Sequence, residues 1–497
     1  MGYSNEELDQ VGKLEPEDVD FLRSRQKCIN PTDAKYGGKN KPLSDYLSPE
    51  AEWKTFAKVQ CAMVEVQYEM GLCPEDVFNE VRDSLDEIDP LNIMLLEGKI
   101  TKHDILAVIE EMGKHISHKA KTYLHPATTS YDIIDTARAY LFKGVWEDKI
   151  KPKALETTEQ LYRLAKMSGA EEIVGVGRTH LKHTSPIPYE KRFSNYVSRL
   201  ITAIEEADRC FGKLKGKISG MVGTGAGTKM VTGDDIDFER RVLEKFELDP
   251  DYTATQIVPR DALAYVANSL VIMSKIIQDF SEDVRLLYSS DMQEMVSRDS
   301  QARLGGSSAD AGKDNPIRYE NVSGSAVVVE SGMRIVYDMI VSNLERDLRN
   351  SVEGRYEPQN MLSTVYRMFS TTSSALKHLD VNRDKVLENL EGVRKRPTEA
   401  MTAILKGERF DHPDHGYAHD FVKEMAKKAR DEQRPLINVC KDDDYFLTTF
   451  KQLTETKQSI LDGNIELYNG SPDRSEFNLR AVEEYYKKNG LELPEFE

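Results

Sequence analysis

The feature that most constrains the fold is a long run of apolar residues spaced every three or four positions in the middle of the chain. Between residues 260 and 288, Leu263, Leu270, Ile277 and Val284 belong to this run. The spacing is that of one face of an α-helix. At about 1.5 Å per residue, the helix would extend for roughly 45 Å, well above the usual length, so it needs long partner helices.

Four further stretches have helical character and similar length. They are residues 129–167, 190–214, 323–348 and 359–379. With the first run they predict an all-α fold with a central bundle of about five long helices. Alternating strand patterns are scarce, and no strand is followed by a GxGxxG or GxxxxGK loop, which disfavours the nucleotide-cofactor folds.

The length of 497 residues exceeds what one core holds, because single cores stop growing at roughly 250 to 300 residues. Breaks rich in Gly, Pro and Asp predict three helical domains. They are an N-terminal domain at 1–127, the long-helix bundle with a mobile loop at 128–387, and a C-terminal domain at 388–497. Val271, Ile272 and Ile276 lie beside the main apolar stripe. A second apolar face of this kind favours self-association.

Composition excludes several classes of protein. The net charge of -18 repels nucleic acid, which needs a dense basic surface. The five cysteines form no CxxC pair and are odd in number, which favours reduced thiols in the cytoplasm over a disulfide framework. The acidic N-terminus lacks the regions of a signal peptide, and no run of 18 apolar residues predicts a membrane span.

The segment GGSSADAGKDNPIRYEN, residues 305–321, is rich in small residues and predicts a mobile loop rather than a buried helix. Such a loop could close over a substrate, with Lys313 and the Asn315 amide donating to a carboxylate. A plain surface loop is the alternative. The segment GRTHLKHTSPIP adds Thr179 and His180, and histidine is well suited to proton transfer near neutral pH.

Three more segments carry polar residues at expected helix ends. They contain Lys102, His103 and Asp104 in TKHDILA, Thr129 and Ser130 in LHPATTSYDIIDTA, and Arg346, Ser351 and Arg355 in ERDLRNSVEGR. Hydroxyls and free N–H groups at a helix start can bind an anion, and paired arginines can hold a phosphate. Ordinary helix capping and a solvated, salt-bridged helix end explain the same residues equally simply.

Taken together, these ordered blocks resemble the fumarase and aspartase superfamily. GSSADAGKDNP is similar to the superfamily loop GSSxMPxKxNP, and TKHD, TSYDIIDTA and GRTH follow its other blocks in order. DAKYGGK, TATQIVPRD and ERDLRNSVEGR further resemble the adenylosuccinate lyase family within it. This resemblance implies three helical domains, no cofactor and no metal. It also implies a homotetramer with active sites shared between subunits, and release of fumarate from adenylosuccinate to give AMP.

The resemblance also implies roles for individual residues. Ser307 would be the base and His180 the general acid, with Glu320 orienting the His180 ring. Lys313 and Asn315 would stabilise the carboxylate of the intermediate, and His103 would lie near the His180 end of the substrate. The residues expected at the succinyl carboxylates are Thr129, Ser130, Thr179 and Gln256; those expected at the phosphate are Lys35, Tyr36, Arg346, Ser351 and Arg355; Lys102 and Asp104 flank His103 in the substrate-binding block.

The chain departs from the family pattern at Asp310 and Ala311, where the loop usually has Met and Pro, and at Asp314, where Arg is frequent. Lys35 and Lys102 replace arginines and cannot reproduce bidentate binding. Argininosuccinate lyase activity and a non-catalytic homologue are the alternatives. A third alternative is a metal site in FDHPDHGYAHD, where His412, His415 and His419 have ligand spacing; a polar loop explains them as simply.

Overall fold

The computed structural model describes residues 24–298 and 313–494. Over these ranges the chain is built from helices, with short strands between some of them. The helices before residue 130 are α1 Pro31–Ala34, α2 Gly37–Asn40, α3 Ser44–Leu47, α4 Pro49–Glu69, α5 Glu75–Asp83, α6 Pro90–Leu96, α7 Asp104–Gly113 and α8 His118–Lys121. A π-helical segment, Glu97–Thr101, joins α6 to the block that precedes α7.

The middle of the chain contains the long helices. Its helices are α9 Ser130–Val145, α10 Lys151–Ala170, α11 Tyr189–Phe211, α12 Ala226–Thr232, α13 Asp235–Glu244, α14 Asp261–Leu287, α15 Ile317–Met339, α16 Arg349–Glu353 and α17 Gln359–Leu376. The C-terminal part contains α18 Arg383–Lys395, α19 Thr398–Gly407, α20 Ala418–Asp431, α21 Leu436–Lys441, α22 Asp444–Gln452, α23 Glu455–Leu461 and α24 Asp473–Lys488. The predicted all-α fold is confirmed.

The strands pair as three antiparallel ribbons of two strands each. They are β1 Val174–Thr179 with β2 Lys182–Pro188, β3 Met295–Ser297 with β4 Leu379–Val381, and β5 Asp411–His412 with β6 Gly416–Tyr417. The first ribbon contains the GRTH block and ends where α11 begins. It therefore holds a short polar segment at a fixed position relative to a long helix.

The apolar run that predicted α14 is buried along one face of that helix. Val266, Leu270, Ile277 and Val284 are all at most 1% exposed. Full burial of each of these side chains stabilises the fold by roughly 1.5 to 3 kcal/mol. The predicted second apolar face is partly exposed, since Ile272 retains 43% of its accessible surface.

Side chains of neighbouring long helices lock α14 to its partners. The Tyr196 hydroxyl on α11 donates to Asp283 over 2.6 Å, and the Tyr196 ring meets Phe280 edge to face at 5.4 Å. On the other side, Phe280 contacts the Tyr319 ring of α15, and Lys275 lies 2.6 Å from Glu330. The long helices α11 and α15 therefore both pack against α14, which is consistent with the prediction that α14 needs long partners.

One predicted helix end is wrong. Helical character was expected through residue 348, but α15 ends at Met339, and residues 340–348 turn instead. The Asp347 carboxylate accepts hydrogen bonds from the backbone N–H groups of Asn343, at 3.1 Å, and Arg349, at 2.9 Å. A short acidic side chain that bonds nearby amides competes with the helix for them, and so it ends helical structure here.

Backbone packing divides the chain into two compact units. The first unit comprises Met1–Leu155, Ala203–Lys275 and Gly324–Thr371, and the second comprises Glu156–Thr202, Ile276–Ser323 and Thr372–Glu497. The two boundaries between the three domains expected from the sequence stay a prediction. Within the described ranges, no helix has both the length and the apolar character that a membrane span requires.

Candidate active site

In the first unit, a polar cavity of about 550 Å³ lies beside the short helices α1 to α3. Tyr36 and Arg355, both expected at the phosphate, line it. Helices α15 and α17 provide the opposite wall through Val328, Ile335 and Asn360 among others. The cavity is therefore large enough for a phosphorylated ligand of small size.

Three other predicted residues lie around one carboxyl group, that of Glu97. Burial raises the pKa of Glu97, the charge of Asp104 raises it further, and the charges of Arg355 and His103 oppose this shift. The His103 Nδ1 lies 3.2 Å from Asp104 Oδ1. The structure thus brings Asp104, His103 and Arg355 near one another in the first unit, although the resemblance implied different ends of the substrate for His103 and Arg355.

Lys102 and Lys35, which were expected to bind the substrate, both lie exposed at the surface of the chain. Lys102 ends the π-helical segment with a positive φ of 54° and directs its Nζ to the carbonyl of Gly98. The Lys35 side chain is exposed, and its carbonyl accepts a hydrogen bond from Arg25 at 3.2 Å. In the single chain, both ammonium groups face solvent.

Thr129 and Ser130 are positioned by a buried aspartate at the start of α9. The Asp132 Oδ2 accepts from the Thr129 N–H over 2.7 Å, which closes the helix end. Asp132 itself pairs with Lys217, and both side chains are fully buried. The carboxylate also accepts from the N–H groups of Ser219, at 3.0 Å, and Gly220, at 3.1 Å.

The pairing with Lys217 fixes a glycine-rich loop, residues 217–225, that sequence reasoning missed. Gly220 and Gly223 have φ values of 77° and 75°, which favour glycine. A Cβ at Gly223 would lie 2.0 Å from the Ala254 carbonyl oxygen, so only glycine permits this approach. The signal was visible in the sequence as SGMVGTGAG.

The approach at Gly223 brings the loop against the segment that carries Gln256. The Gln256 side-chain oxygen accepts a hydrogen bond from Arg346 Nη1 at 2.9 Å, and the Arg346 guanidinium covers the Tyr131 ring at 3.8 Å. Ser351 is half-buried in α16, where its N–H bonds the Leu348 carbonyl. The predicted phosphate set is thus divided, since Tyr36 and Arg355 line the cavity whereas Arg346 pairs with Gln256.

In the second unit, the tight turn between β1 and β2 presents His180. His180 and Leu181 both have positive φ, and Thr179 and His180 are exposed. Among the described residues, none forms a hydrogen bond to the His180 ring. Glu320, expected to orient that ring, instead lies 3.8 Å from Arg285. The proposed contact between His180 and Glu320 is not formed in this chain.

A buried ion pair holds the ribbon that carries His180. Arg178 donates to both carboxylate oxygens of Glu294, and Tyr189 and Asn389 donate to the same carboxylate. Burial alone raises the pKa of Glu294, but the hydrogen bonds from Arg178, Tyr189 and Asn389 outweigh it, so the pKa is lowered. Sequence reasoning missed Glu294, because a lone glutamate outside any motif carries no signal.

The loop expected to close over the substrate is only partly described. Ser307, Asp310 and Ala311 lie outside the described residues. Lys313 is exposed and Asn315 half-buried, just before α15 begins. The Asp314 carboxylate, where the family often has Arg, accepts a hydrogen bond from the Tyr288 hydroxyl.

The alternative metal site is only partly assembled. Ligand atoms of His412, His415 and Asp443 lie within 4.8 Å of one another, but His419 pairs with Asp420. The His412 Nδ1 accepts backbone N–H groups from Asp414 and His415, which leaves Nε2 protonated and donating to Asp443 at 3.2 Å. A protonated Nε2 cannot ligate a metal, and the geometry favours a structural hydrogen bond.

A comparison with known protein families finds one that matches this chain. A family model described as a lyase matches residues 32–330, well over half of the chain. The chain belongs to this lyase family. The predicted membership of the fumarase and aspartase superfamily, and the predicted lyase class, are therefore confirmed.

Curated relatives and solved structures agree with this assignment. The chain is 27% identical over 433 residues to the adenylosuccinate lyase of Methanocaldococcus jannaschii, covering 84% of this chain and 89% of the relative. It is 27% identical over 356 residues to that of Thermotoga maritima, covering 70% and 78%. The fold matches a fumarate lyase from Mesorhizobium sp. BNC1 with a TM-score of 0.75 at 20% identity, over 90% of this chain and 97% of the other.

Proposed function

We propose that this lyase releases fumarate from adenylosuccinate to give AMP, and that it cleaves the succinylated aminoimidazole carboxamide ribotide in the same way. The observation that carries the proposal is the polar cavity in the first unit, which Tyr36 and Arg355 both line. Relatives described as adenylosuccinate lyases match most of the chain and support it.

In the proposed reaction, a base removes the proton from the carbon next to a succinyl carboxylate. The electron pair of that C–H bond moves onto the carboxylate and then expels the purine nitrogen, which an acid protonates. Ser307 is the proposed base and His180 the proposed acid. Lys313 and Asn315 stabilise the extra negative charge, which is largest in the transition state. No cofactor or metal takes part in these steps.

The other predicted residues bind the substrate in this proposal. Thr129, Ser130, Thr179 and Gln256 take the succinyl carboxylates, and the phosphate set takes the nucleotide end. Support for Thr129 and Ser130 comes from the buried hydroxyls of Thr128 and Ser219 in the same unit, which have no hydrogen-bond partner among the described residues. Buried hydroxyls of this kind favour a polar ligand at the same place.

We also propose a homotetramer whose active sites are shared between subunits. Large apolar side chains on the long helices support this, since Ile272, Val327 and Tyr337 are 43%, 54% and 50% exposed. Exposed apolar surface on long helices favours a helical partner. In a shared site, the exposed His180 of one chain would meet substrate-binding residues of another.

A cytoplasmic location is part of the same proposal. All five cysteines are free thiols, and only Cys28 among them is exposed. Burial raises the pKa of Cys440 to about 12, which keeps that thiol protonated and unreactive. Free thiols are typical of the reducing interior of the cell.

The experiment compares adenylosuccinate with its dephosphorylated form, succinyladenosine, by measuring the rate of the purified protein at several concentrations of each substrate. Loss of the phosphate removes charge-assisted hydrogen bonds, so kcat/KM should be about tenfold to a hundredfold lower for succinyladenosine than for adenylosuccinate. Argininosuccinate, which has no phosphate, is the matched control. Equal kcat/KM for adenylosuccinate and succinyladenosine would contradict a phosphate site. Faster cleavage of argininosuccinate would show that argininosuccinate, rather than adenylosuccinate, is the preferred substrate.

A further inference from the structure

Arg367 on α17 lies in the wall of the polar cavity and forms no ion pair with any described residue. The residue is 5% exposed, and its Nε and Nη1 atoms have no hydrogen-bond partner among the described residues. Its guanidinium instead lies over the ring of Tyr36, with Cζ 3.6 Å from the ring centroid. Burial lowers the pKa of Arg367, and Tyr36 only partly opposes that shift.

A buried cation without a counter-ion costs free energy, and two acidic residues, Asp33 and Glu357, line the cavity. Asp33 lines the cavity but is exposed. The Glu357 carboxylate is buried, accepts hydrogen bonds from Asn360 and from the Met361 N–H, and is not paired with Arg367. Burial raises the pKa of Glu357, which favours its neutral form. The counter-ion of Arg367 is therefore absent from the described cavity wall.

Two amide oxygens in the same wall receive no hydrogen bond from any residue that the structure describes. The Asn40 Oδ1 is buried and unpartnered, while its Nδ2 donates to the Thr32 carbonyl at 3.0 Å and so fixes the orientation of the amide. Gln359 Oε1 is also buried and unpartnered. One cavity thus offers free donors on Arg367 and free acceptors on two amides. A ligand with both an anionic group and hydroxyl donors satisfies both sets.

We propose that Arg367, stacked on Tyr36, is an additional anchor for the phosphate of the nucleotide substrate, and that Asn40 and Gln359 accept hydrogen bonds from its ribose hydroxyls. This inference rests on the proposed function. Nε and Nη1 lie on different edges of the planar guanidinium, and either can donate a charge-assisted hydrogen bond to a phosphate oxygen. Its stacking on Tyr36 also holds the tyrosine ring in place, so that both residues face the ligand.

The test uses Arg367→Gln, with Arg367→Lys as the conservative variant. Binding of AMP, adenosine and inorganic phosphate is measured by calorimetry, without turnover. Removal of a charge-assisted hydrogen bond should weaken AMP binding by between about tenfold and a hundredfold, while adenosine binding should not change. Arg367→Lys should recover part of the affinity, because it keeps the charge but not the planar guanidinium that stacks on Tyr36. In the assay, KM should rise while kcat stays near its original value.

A structural role would give a different pattern. Because the free enzyme buries an uncompensated charge, Arg367→Gln should leave the melting temperature of the free protein unchanged or raise it. Arg163 is the matched control, since it is a part-buried arginine of the second unit that donates to the Leu376 carbonyl. Arg163→Gln should lower the melting temperature and leave AMP binding intact.

The inference is overturned if Arg367→Gln binds AMP as tightly as the original protein, or if AMP and adenosine lose affinity equally. The proposed function has a separate failure. If the original protein binds AMP through Arg367 but does not cleave adenylosuccinate, the proposed reaction is wrong and the anion site stands. If it cleaves adenylosuccinate and Arg367→Gln is unaffected, the reaction stands and the anchor is wrong.

Discussion

Replacement of Lys217 by methionine tests the buried ion pair beside Thr129, one of the residues proposed to bind a succinyl carboxylate. Lys217 and Asp132 are both fully buried and in direct contact. The variant keeps most of the side-chain volume but leaves the Asp132 carboxylate without its cation. Removal of one partner from a buried pair costs about 3 to 5 kcal/mol, because the remaining charge stays buried.

Backbone donors reduce that cost. Asp132 keeps hydrogen bonds from three backbone N–H groups, those of Thr129 at 2.7 Å, Ser219 at 3.0 Å and Gly220 at 3.1 Å. Each such bond to a charged acceptor offsets part of the desolvation. We therefore expect Lys217→Met to lower the free energy of unfolding by about 3 kcal/mol, at the lower end of the range for buried pairs.

Urea unfolding followed by circular dichroism measures this change. Lys54→Met is the matched control, because Lys54 pairs with Glu50 at 2.5 Å but the two side chains are 50% and 58% exposed. An exposed pair contributes less than about 1 kcal/mol. The double variant Asp132→Asn with Lys217→Met should be more stable than the sum of the single changes predicts, by at least about 1 kcal/mol. A loss at Lys217 no larger than at Lys54 would refute the reasoning.

The remaining predictions concern acid stability, thiol reactivity and catalysis. Hydrogen bonds lower the pKa of Glu294 in the folded state, so its stabilising effect is present above the unfolded pKa of about 4.3 and is lost as the pH falls through the folded value. Unfolding measured from neutral to acidic pH should therefore depend less on pH in Glu294→Gln, and an unchanged dependence would contradict this account. Burial raises the pKa of Cys61 to about 12. A thiol reagent should accordingly modify the exposed Cys28 in the native protein before Cys61, as peptide mass mapping can check. His180→Asn should lower kcat by a factor of about a hundred or more and change KM little, because it removes the proposed acid; equal losses in binding and turnover would argue for a binding role instead.

The long helices could be predicted because their chemistry repeats along the chain. In α14, apolar residues recur at helical spacing over Asp261–Leu287, and tertiary packing uses that same face. The end of α15 could not be predicted in this way. Asp347 ends helical structure through hydrogen bonds to its own backbone neighbours, and nothing in the apolar pattern signals that competition.

Some residues of the candidate site could also be predicted from the sequence, whereas others could not. Residues within ordered blocks, such as His180 and Arg355, could be proposed from the sequence because several residue types occur at fixed spacing. Arg367 and Glu294 stand alone in their segments, so their importance depends on partners far away in the chain. The glycine-rich loop is an intermediate case. Its glycines are visible in the sequence although sequence reasoning missed them, and only the packing of Gly223 against Ala254 explains why glycine is required.

The most direct test of the central claim is product analysis after incubation of the purified protein with adenylosuccinate. Fumarate and AMP are separated by chromatography and quantified against time, with Ser307→Ala as the control. The account predicts that the two products form in equal amounts with the original protein and that the control forms neither at a comparable rate. Equal activity in the control would contradict the proposed base, and absence of both products with the original protein would contradict the proposed reaction.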